Sequence, residues 1–172
     1  LIVHIAEKDD ILPLVKEVTP KAKALMDAFF PGPLTIILPK SDRVGRVVSG
    51  GLDTVGIRMP QNPIAREFIK AAGVPIAAPS ANTSGLPSPT NAKYVIEDMR
   101  GKIDAIIDGG SSEFGIESTV LTLAGDVPVI LRPGAITQEM LSEVIGRVDI
   151  ARAVTEGMAE GETAASPGMK YK

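Results

Sequence analysis

The alternation of short apolar runs with segments of helical periodicity constrains the fold of this chain more than any other feature. Seven runs have the length and apolar character of buried strands. They cover residues 1–5, 34–38, 53–58, 75–79, 104–108, 118–123 and 127–131. Strands that alternate with helices along a chain predict an α/β domain built around a sheet. Because most of the runs are continuously apolar, we expect the sheet to be largely buried.

Helix-start signals lie between these runs. Thr19 and Asn62 are capping residues, and each is followed by a proline at the first helical position. Four helices are predicted, beginning near Pro20, Pro63, Asn91 and Thr137. The second helix carries an apolar stripe, including Ile64 and Phe68, that is predicted to face the core. The tripeptide 124–126 joins the last two strands closely enough for a hairpin, so the sheet should be mixed.

The composition excludes several classes of functional site. The 172 residues contain no cysteine, which rules out disulfides, thiolate metal sites and cysteine nucleophiles. The single histidine, His4, rules out a polyhistidine metal site. A formal net charge of −3 disfavours a broad electrostatic grip on nucleic acid or on an anionic membrane. No apolar run approaches the roughly 18 residues that span a bilayer and no signal peptide is visible, so we expect a cytoplasmic protein.

The familiar nucleotide-binding and hydrolase motifs are absent, including the P-loop, the dinucleotide fingerprint, the nucleophile elbow and the zinc-protease motif. Attention therefore falls on the strand ends, where α/β proteins bind ligands. Arg58 and Arg132 each close an apolar strand, where a guanidinium needs a carboxylate, phosphate or carbonyl partner. If the two converge, they suit an anionic ligand with more than one acidic group. A structural salt bridge accounts for Arg58 equally well.

Two further junctions are rich in small polar side chains. Ser80 and Asn82 follow the fourth strand, and their hydroxyl and amide groups either bind a ligand or cap local backbone. Ser118 and Thr119 begin a later strand, as also happens at ordinary solvated strand ends. His4 lies in an apolar strand, where a lone histidine is more often a core residue than a catalyst. A serine-hydrolase site that uses this histidine has no supporting motif.

Seven segments of the chain together resemble the YrdC/Sua5 family of threonylcarbamoyl-AMP synthases. They read LIVHI, FPGPLTIILP, VGIRMP, PIAAPSANTSG, IDGG, ESTV and VILRPGAIT. They follow the family order across about residues 1–146. The resemblance implies a three-layer YrdC-like α/β domain with a twisted, mixed, largely buried sheet. It also implies a catalytic domain at residues 1–150 and, at 151–172, a linker toward a C-terminal domain that is absent from this sequence.

The resemblance further implies a nucleotidyltransferase that makes threonylcarbamoyl-AMP and pyrophosphate from L-threonine, bicarbonate and ATP. A downstream transferase protein would use the product for the t⁶A modification of tRNA. Carbamate formation and attack on a phosphate need positioning and charge neutralisation rather than a protein nucleophile, which suits a chain with one histidine and no cysteine. Mg²⁺ is expected to arrive with ATP and to bridge its phosphates, with no direct protein ligand.

The same resemblance assigns roles to individual residues, none of them a covalent nucleophile. L-threonine binding falls to His4, Arg58, Ala78 and Ser118. Within this set, Arg58 is expected to hold the carboxylate. ATP binding falls to Thr54, Ser80, Ser88 and Arg132. Weaker candidates are Asn82, Thr119, Ser166 and Tyr171, the last two in a tail that is expected to close over the site.

The sequence departs from the family pattern at its beginning. Family members carry a Thr/Tyr-rich loop and a Lys-x-Arg motif before the first matched segment. The resemblance therefore implies a leading segment that is missing here, and we expect this polypeptide alone to be weakly active or inactive.

The main alternative is a module that binds double-stranded RNA or tRNA without catalysis. Seven basic residues are candidates for its surface: Lys40, Arg43, Arg46, Arg58, Arg100, Lys102 and Arg132. A hydrogenase-maturation domain of the same fold is a second alternative, against which the Ser-Pro-Gly-Met-Lys-Tyr tail argues.

Overall fold

Seven strands form one mixed sheet in the computed structural model, which describes residues 1–155. The strands are β1 (Ile2–His4), β2 (Leu34–Pro39), β3 (Thr54–Arg58), β4 (Ile76–Ala78), β5 (Thr119–Thr122), β6 (Val129–Arg132) and β7 (Asp149–Ile150). Their order across the sheet is β4-β1-β3-β2-β5-β6-β7. The pairs β1–β3, β2–β5 and β6–β7 are parallel, and the other three neighbouring pairs are antiparallel. The predicted α/β fold with a mixed sheet is confirmed, including the β5–β6 hairpin.

The four predicted helices begin at their predicted caps. The helices are α1 (Pro20–Phe29), α2 (Arg46–Ser49), α3 (Pro63–Ala72), α4 (Ala92–Met99), α5 (Gln138–Ile145) and α6 (Arg152–Thr155), with a 3₁₀ helix at Lys8–Ile11. At the start of α1, Thr19 Oγ1 accepts a hydrogen bond from the backbone N–H of Ala22 at 3.2 Å. Elements of two to four residues, such as α2, α6 and β7, are too short for a periodic signal and were not predicted. No helix within residues 1–155 is long and apolar enough to cross a membrane.

Residues 104–108 form no strand, contrary to the prediction from their apolar run. They belong to an irregular segment between α4 and β5, and no strand of the sheet pairs with them. Ile106 and Ile107 are 37% and 58% exposed. A short apolar run becomes a strand only where pairing and burial support it, and neither does so here.

The hydrophobic core lies against one face of the sheet. Alternate residues of the central strands point into it, including Val3, Ile36 and Ile57, and α1 contributes Leu25 from above. Since side chains alternate between the two faces along a strand, the residues between these core positions point the other way. We call that opposite side of the sheet the second face. It carries most of the polar side chains discussed below.

Candidate functional site

A row of polar side chains crosses the second face of the sheet. His4 on β1 pairs with Arg58 on β3. Ile36 on β2 pairs with Ile57 on β3, and this register places the preceding residue, Thr35, beside Arg58. Because neighbouring strands lie about 4.8 Å apart, these three side chains are direct neighbours on one face of the sheet.

The same row continues across β5 to β6. Thr35 pairs with Val120, and Val120 pairs with Arg132. We call His4, Arg58, Thr35 and Arg132 the polar row. Gly56 lies on β3 two residues before Arg58. A Cβ added to this glycine would lie 3.2 Å from the Cγ2 of Thr35. The glycine therefore lets the methyl group of Thr35 pack over the backbone of β3.

Arg58 is the member of the polar row whose charge is least compensated. Its Nε donates a hydrogen bond to the backbone carbonyl of Gly32 at 3.1 Å. Within residues 1–155, no carboxylate forms an ion pair with it. Burial, and then the positive charge of Arg132, lower the pKa of Arg58 below its ordinary value. A partly buried cation with a single carbonyl partner is prepared to accept an anion.

His4 lies beside Arg58 as a largely neutral ring. Burial is the main cause that lowers the pKa of His4 below 6.5, and the positive charge of Arg58 adds to it. Hydrogen bonds with the backbone of Ile76 and Ile2 act in the opposite direction without reversing the shift. At neutral pH the imidazole therefore keeps one N–H, directed at the backbone, and one nitrogen that can accept a hydrogen bond.

Arg132 is engaged by Ser118 and Glu117. Its Nε and Nη2 donate to the backbone carbonyl of Ser118 at 3.0 and 2.9 Å, and Nη2 also donates to the Ser118 Oγ at 3.0 Å. Its Nη1 lies 3.2 Å from the Oε2 of Glu117. Arg132 is only 5% exposed, so this fork fixes the position of Ser118 at the start of β5. Its charge nevertheless reaches Arg58, as the lowered pKa of that residue indicates.

The loop after β4 brings one of its predicted residues to this cluster. Ser88 Oγ donates to the Oε1 of Glu117 at 3.2 Å, which joins Ser88 to Arg132 through one carboxylate. Ser80 is exposed and takes no part in that network. The side-chain nitrogen of Asn82 donates to two backbone carbonyls of its own loop, at 3.0 Å each. The buried Oδ1 of Asn82 has no hydrogen-bond partner among residues 1–155.

Two further predicted residues, Ala78 and Thr54, lie on the second face. Ala78 pairs with Ile2, which lies two residues before His4 on β1. Thr54 begins β3 and lies on the same face as Arg58, at the other end of the strand and about 13 Å away along it. The structure thus groups His4, Arg58 and Ala78, and it leaves Thr54 apart from them.

The hydroxyl group of Thr119 has a structural role, because it is hydrogen-bonded to backbone groups. Its Oγ1 donates to the carbonyl of Ile136 at 2.7 Å and accepts from the N–H of the same residue at 3.1 Å. Gly134 packs so closely here that a Cβ on it would lie 2.5 Å from the backbone nitrogen of Thr119. The Thr119 hydroxyl therefore anchors the turn after Arg132. The predicted candidates Ser166 and Tyr171 lie outside the described residues.

Thr35 is the site residue that sequence reasoning missed. It is fully buried, and its hydroxyl lies 2.9 Å from that of Ser118. A hydroxyl within the otherwise apolar run LTIIL was the available signal. No group of three or more His, Asp or Glu side chains within residues 1–155 is arranged to hold a metal ion.

Comparison with known proteins assigns this chain to a family. The sequence profile of Sua5, YciO and YrdC proteins, described as telomere recombination, matches residues 1–134. The chain belongs to this family. Threonylcarbamoyl-AMP synthase of Pyrococcus abyssi is 51% identical over 172 residues, which cover 100% of this chain and 50% of that protein. The Bacillus subtilis enzyme of the same name is 49% identical, over 99% of this chain and 49% of its own.

Solved structures of the Sua5/YciO/YrdC family have the same fold. The crystal structure of P. abyssi Sua5 complexed with L-threonine matches with a TM-score of 0.94 and 51% identity, over 99% of this chain and 50% of that one. Escherichia coli YciO matches with a TM-score of 0.70 and 27% identity, over 78% of this chain and 65% of its own. The chain thus spans about half the length of its Sua5 relatives.

Proposed function

We propose that this chain forms the L-threonine- and ATP-binding part of a threonylcarbamoyl-AMP synthase. The observation that carries the proposal is the partly buried Arg58, which has no carboxylate partner among residues 1–155. It lies beside the neutral His4, on a fold that matches P. abyssi Sua5 in complex with L-threonine at a TM-score of 0.94. A site with this charge and this fold suits an amino-acid carboxylate.

In the proposed complex, the guanidinium of Arg58 holds the carboxylate of L-threonine. The neutral imidazole of His4 completes the pocket without adding a third positive charge, and it leaves a nitrogen to accept a hydrogen bond from the amino group. Ser118 and the backbone of Ala78 close the pocket on its two sides. Every one of these groups positions the substrate, and none forms a covalent bond with it.

The reaction that we propose proceeds in two balanced steps. The amino nitrogen of L-threonine attacks the carbon of bicarbonate, and loss of water gives a carbamate. A carbamate oxygen then attacks the α-phosphorus of ATP, and the bond to the β-phosphate oxygen breaks to release pyrophosphate. Both steps bring negative charges together, so the two arginines of the polar row lower the barrier by neutralising them.

The nucleotide is proposed to lie toward Arg132, Ser88 and Ser80, with Thr54 farther along the same face and Asn82 and Thr119 as weaker contacts. Mg²⁺ would accompany the phosphates of ATP and neutralise part of their charge. A downstream transferase that acts on tRNA would consume the product, and we place the protein in the cytoplasm for that reason. RNA binding without catalysis is less well supported, because two of its seven candidate basic residues, Arg58 and Arg132, are partly or fully buried.

Pyrophosphate release by the intact protein tests the proposed function. Release is expected only when L-threonine, bicarbonate and ATP are all present. L-Valine, which has the shape of threonine without its hydroxyl group, serves as the matched control and should support little release. Pyrophosphate release that does not depend on L-threonine, or no release with all three substrates present, would contradict the proposal.

A further inference from the structure

The hydroxyl groups of Thr35 and Ser118 form a buried pair at the centre of the site. Their oxygen atoms are 2.9 Å apart, and the distance alone allows either one to be the donor. Within residues 1–155, the Thr35 hydroxyl has no other hydrogen-bond partner. The Ser118 hydroxyl has one more partner, the Nη2 of Arg132 at 3.0 Å.

The direction of the Thr35–Ser118 bond follows from the number of protons and lone pairs. Each hydroxyl has one proton and two lone pairs, and a guanidinium only donates. If Ser118 donated to Thr35, the proton of the fully buried Thr35 would lack an acceptor among the described residues. If Thr35 donates instead, its proton is paired, because the two lone pairs of the Ser118 oxygen accept from Thr35 and from Arg132. The second arrangement is favoured, since the unpaired proton then belongs to Ser118, which keeps 4% exposure, and not to the fully buried Thr35.

This arrangement leaves the proton of Ser118 available for a ligand. Ser118 retains 4% exposure and Thr35 has none, so Ser118 is the member of the pair that reaches the surface. The orientation of Thr35 is itself fixed, because its methyl group packs over Gly56 and its hydroxyl group points toward β5. Arg58, the neighbour of Thr35 on β3, marks the adjacent surface as a place for an anion.

We propose that Thr35 is a positioning residue that makes the Ser118 hydroxyl a donor to an oxygen atom of the bound amino acid. This inference rests on the proposed function, because it takes L-threonine as the ligand. Thr35 acts through Ser118 and does not itself touch the substrate. Its contribution should therefore vanish when the Ser118 hydroxyl is removed.

A double-mutant cycle on the intact protein tests the role of Thr35. L-Threonine binding is measured by isothermal titration for the wild type, Thr35→Val, Ser118→Ala and the double variant. Thr35→Val keeps the side-chain shape and is expected to raise the Kd for L-threonine about five- to tenfold. In the Ser118→Ala background, the same change should alter the Kd less than about twofold. Thr35→Ser, which keeps the hydroxyl, should bind within about twofold of the wild type.

A matched control separates this role from a loss of packing. Thr122→Val removes a hydroxyl that accepts from the backbone of Ala124 in the hairpin, and it should leave the Kd for L-threonine unchanged. An unchanged or lower Kd in Thr35→Val, an equal effect with and without Ser118, or failure of Thr35→Ser to restore binding would each overturn the inference. If the wild type itself does not bind L-threonine, the proposed function has failed first, and the two failures are thereby distinguished.

Discussion

At the scale of single residues, Arg58 and Arg132 differ in what satisfies their guanidinium groups. Arg132 donates to Ser118 through two nitrogen atoms and pairs with Glu117 through the third. Arg58 has one hydrogen bond, to the carbonyl of Gly32. Leaving a partly buried cation without a counter-ion costs stability, and an anionic ligand removes that cost. In the proposed complex, Arg58 is therefore the residue that gains most from an anionic partner, since the guanidinium of Arg132 is already paired within the fold.

The lowered pKa of His4 makes a pH-dependent contribution to stability. Burial lowers the pKa in the folded state below the ordinary value of 6.5, so the unfolded chain takes up a proton more readily. This contribution is complete above that value, and it is lost as the pH falls toward the folded-state pKa. We expect the free energy of unfolding of the wild type to decrease between about pH 7.5 and pH 5 by more than that of His4→Gln.

Urea unfolding at several pH values measures this difference. The carboxylates titrate in both proteins, so their contribution cancels in the comparison. A parallel pH dependence in the wild type and His4→Gln would show that His4 is not held neutral by the fold.

The strand pattern pointed to Arg58, a polar residue at the end of an apolar strand, where ligands gather, whereas His4 and Ser118 were assigned to the site by the resemblance to the family. Thr35 escaped sequence reasoning for a physical reason. A threonine is β-branched and fits a buried strand as well as valine does. The sequence alone therefore does not show whether its hydroxyl group has a hydrogen-bond partner elsewhere in the chain. That partner, Ser118, is 83 residues away in sequence.

At the scale of elements, the start of α3 joins two parts of the chain. Asn62 Oδ1 caps the helix by accepting from the N–H of Ala65 at 3.1 Å. The side-chain nitrogen of the same residue donates to the carbonyl of Gly109 at 2.9 Å. One side chain therefore starts the helix and holds the irregular segment before β5 against it.

Replacement of Asn62 should separate these two roles. Asn62→Ala removes both bonds and is expected to lower the free energy of unfolding by about 1–2 kcal/mol, as measured by urea denaturation. Asn62→Asp keeps the cap and loses only the donor to Gly109, so its loss should be smaller. Equal losses in the two variants would contradict the assignment of the cap.

The helix starts were predictable because capping residues and prolines act locally. The extent to which a helix face is covered was not. The apolar stripe of α3 was expected to face the core, yet Ile64 and Phe68 are 45% and 50% exposed, and Ile69 is buried. Periodicity shows which residues share a face, whereas coverage depends on what packs against it. The missing strand at 104–108 has the same origin, because no neighbouring strand pairs with it.

At the scale of the whole molecule, the hydrophobic core and the candidate site lie on opposite faces of the sheet. One face carries the core, with Ile5, Ile36 and Leu38 fully buried, and the second face carries the polar row. The row gathers side chains from strands that are far apart in sequence but adjacent in the sheet. The predicted strand pattern gave the sheet, but the order β1-β3-β2-β5-β6, on which the row depends, arises from long-range pairing that local sequence does not encode.

The most direct test of this account is the affinity of the intact protein for L-threonine, measured by isothermal titration with Arg58 changed. Arg58→Ala is expected to raise the Kd at least about tenfold, because it removes the charged partner of the carboxylate. Arg58→Lys should recover only part of the affinity, since it keeps the charge without the planar fork. The matched control is Arg147→Ala, which removes an exposed arginine paired with Asp149 and should bind as the wild type does. An unchanged Kd in Arg58→Ala would contradict the account.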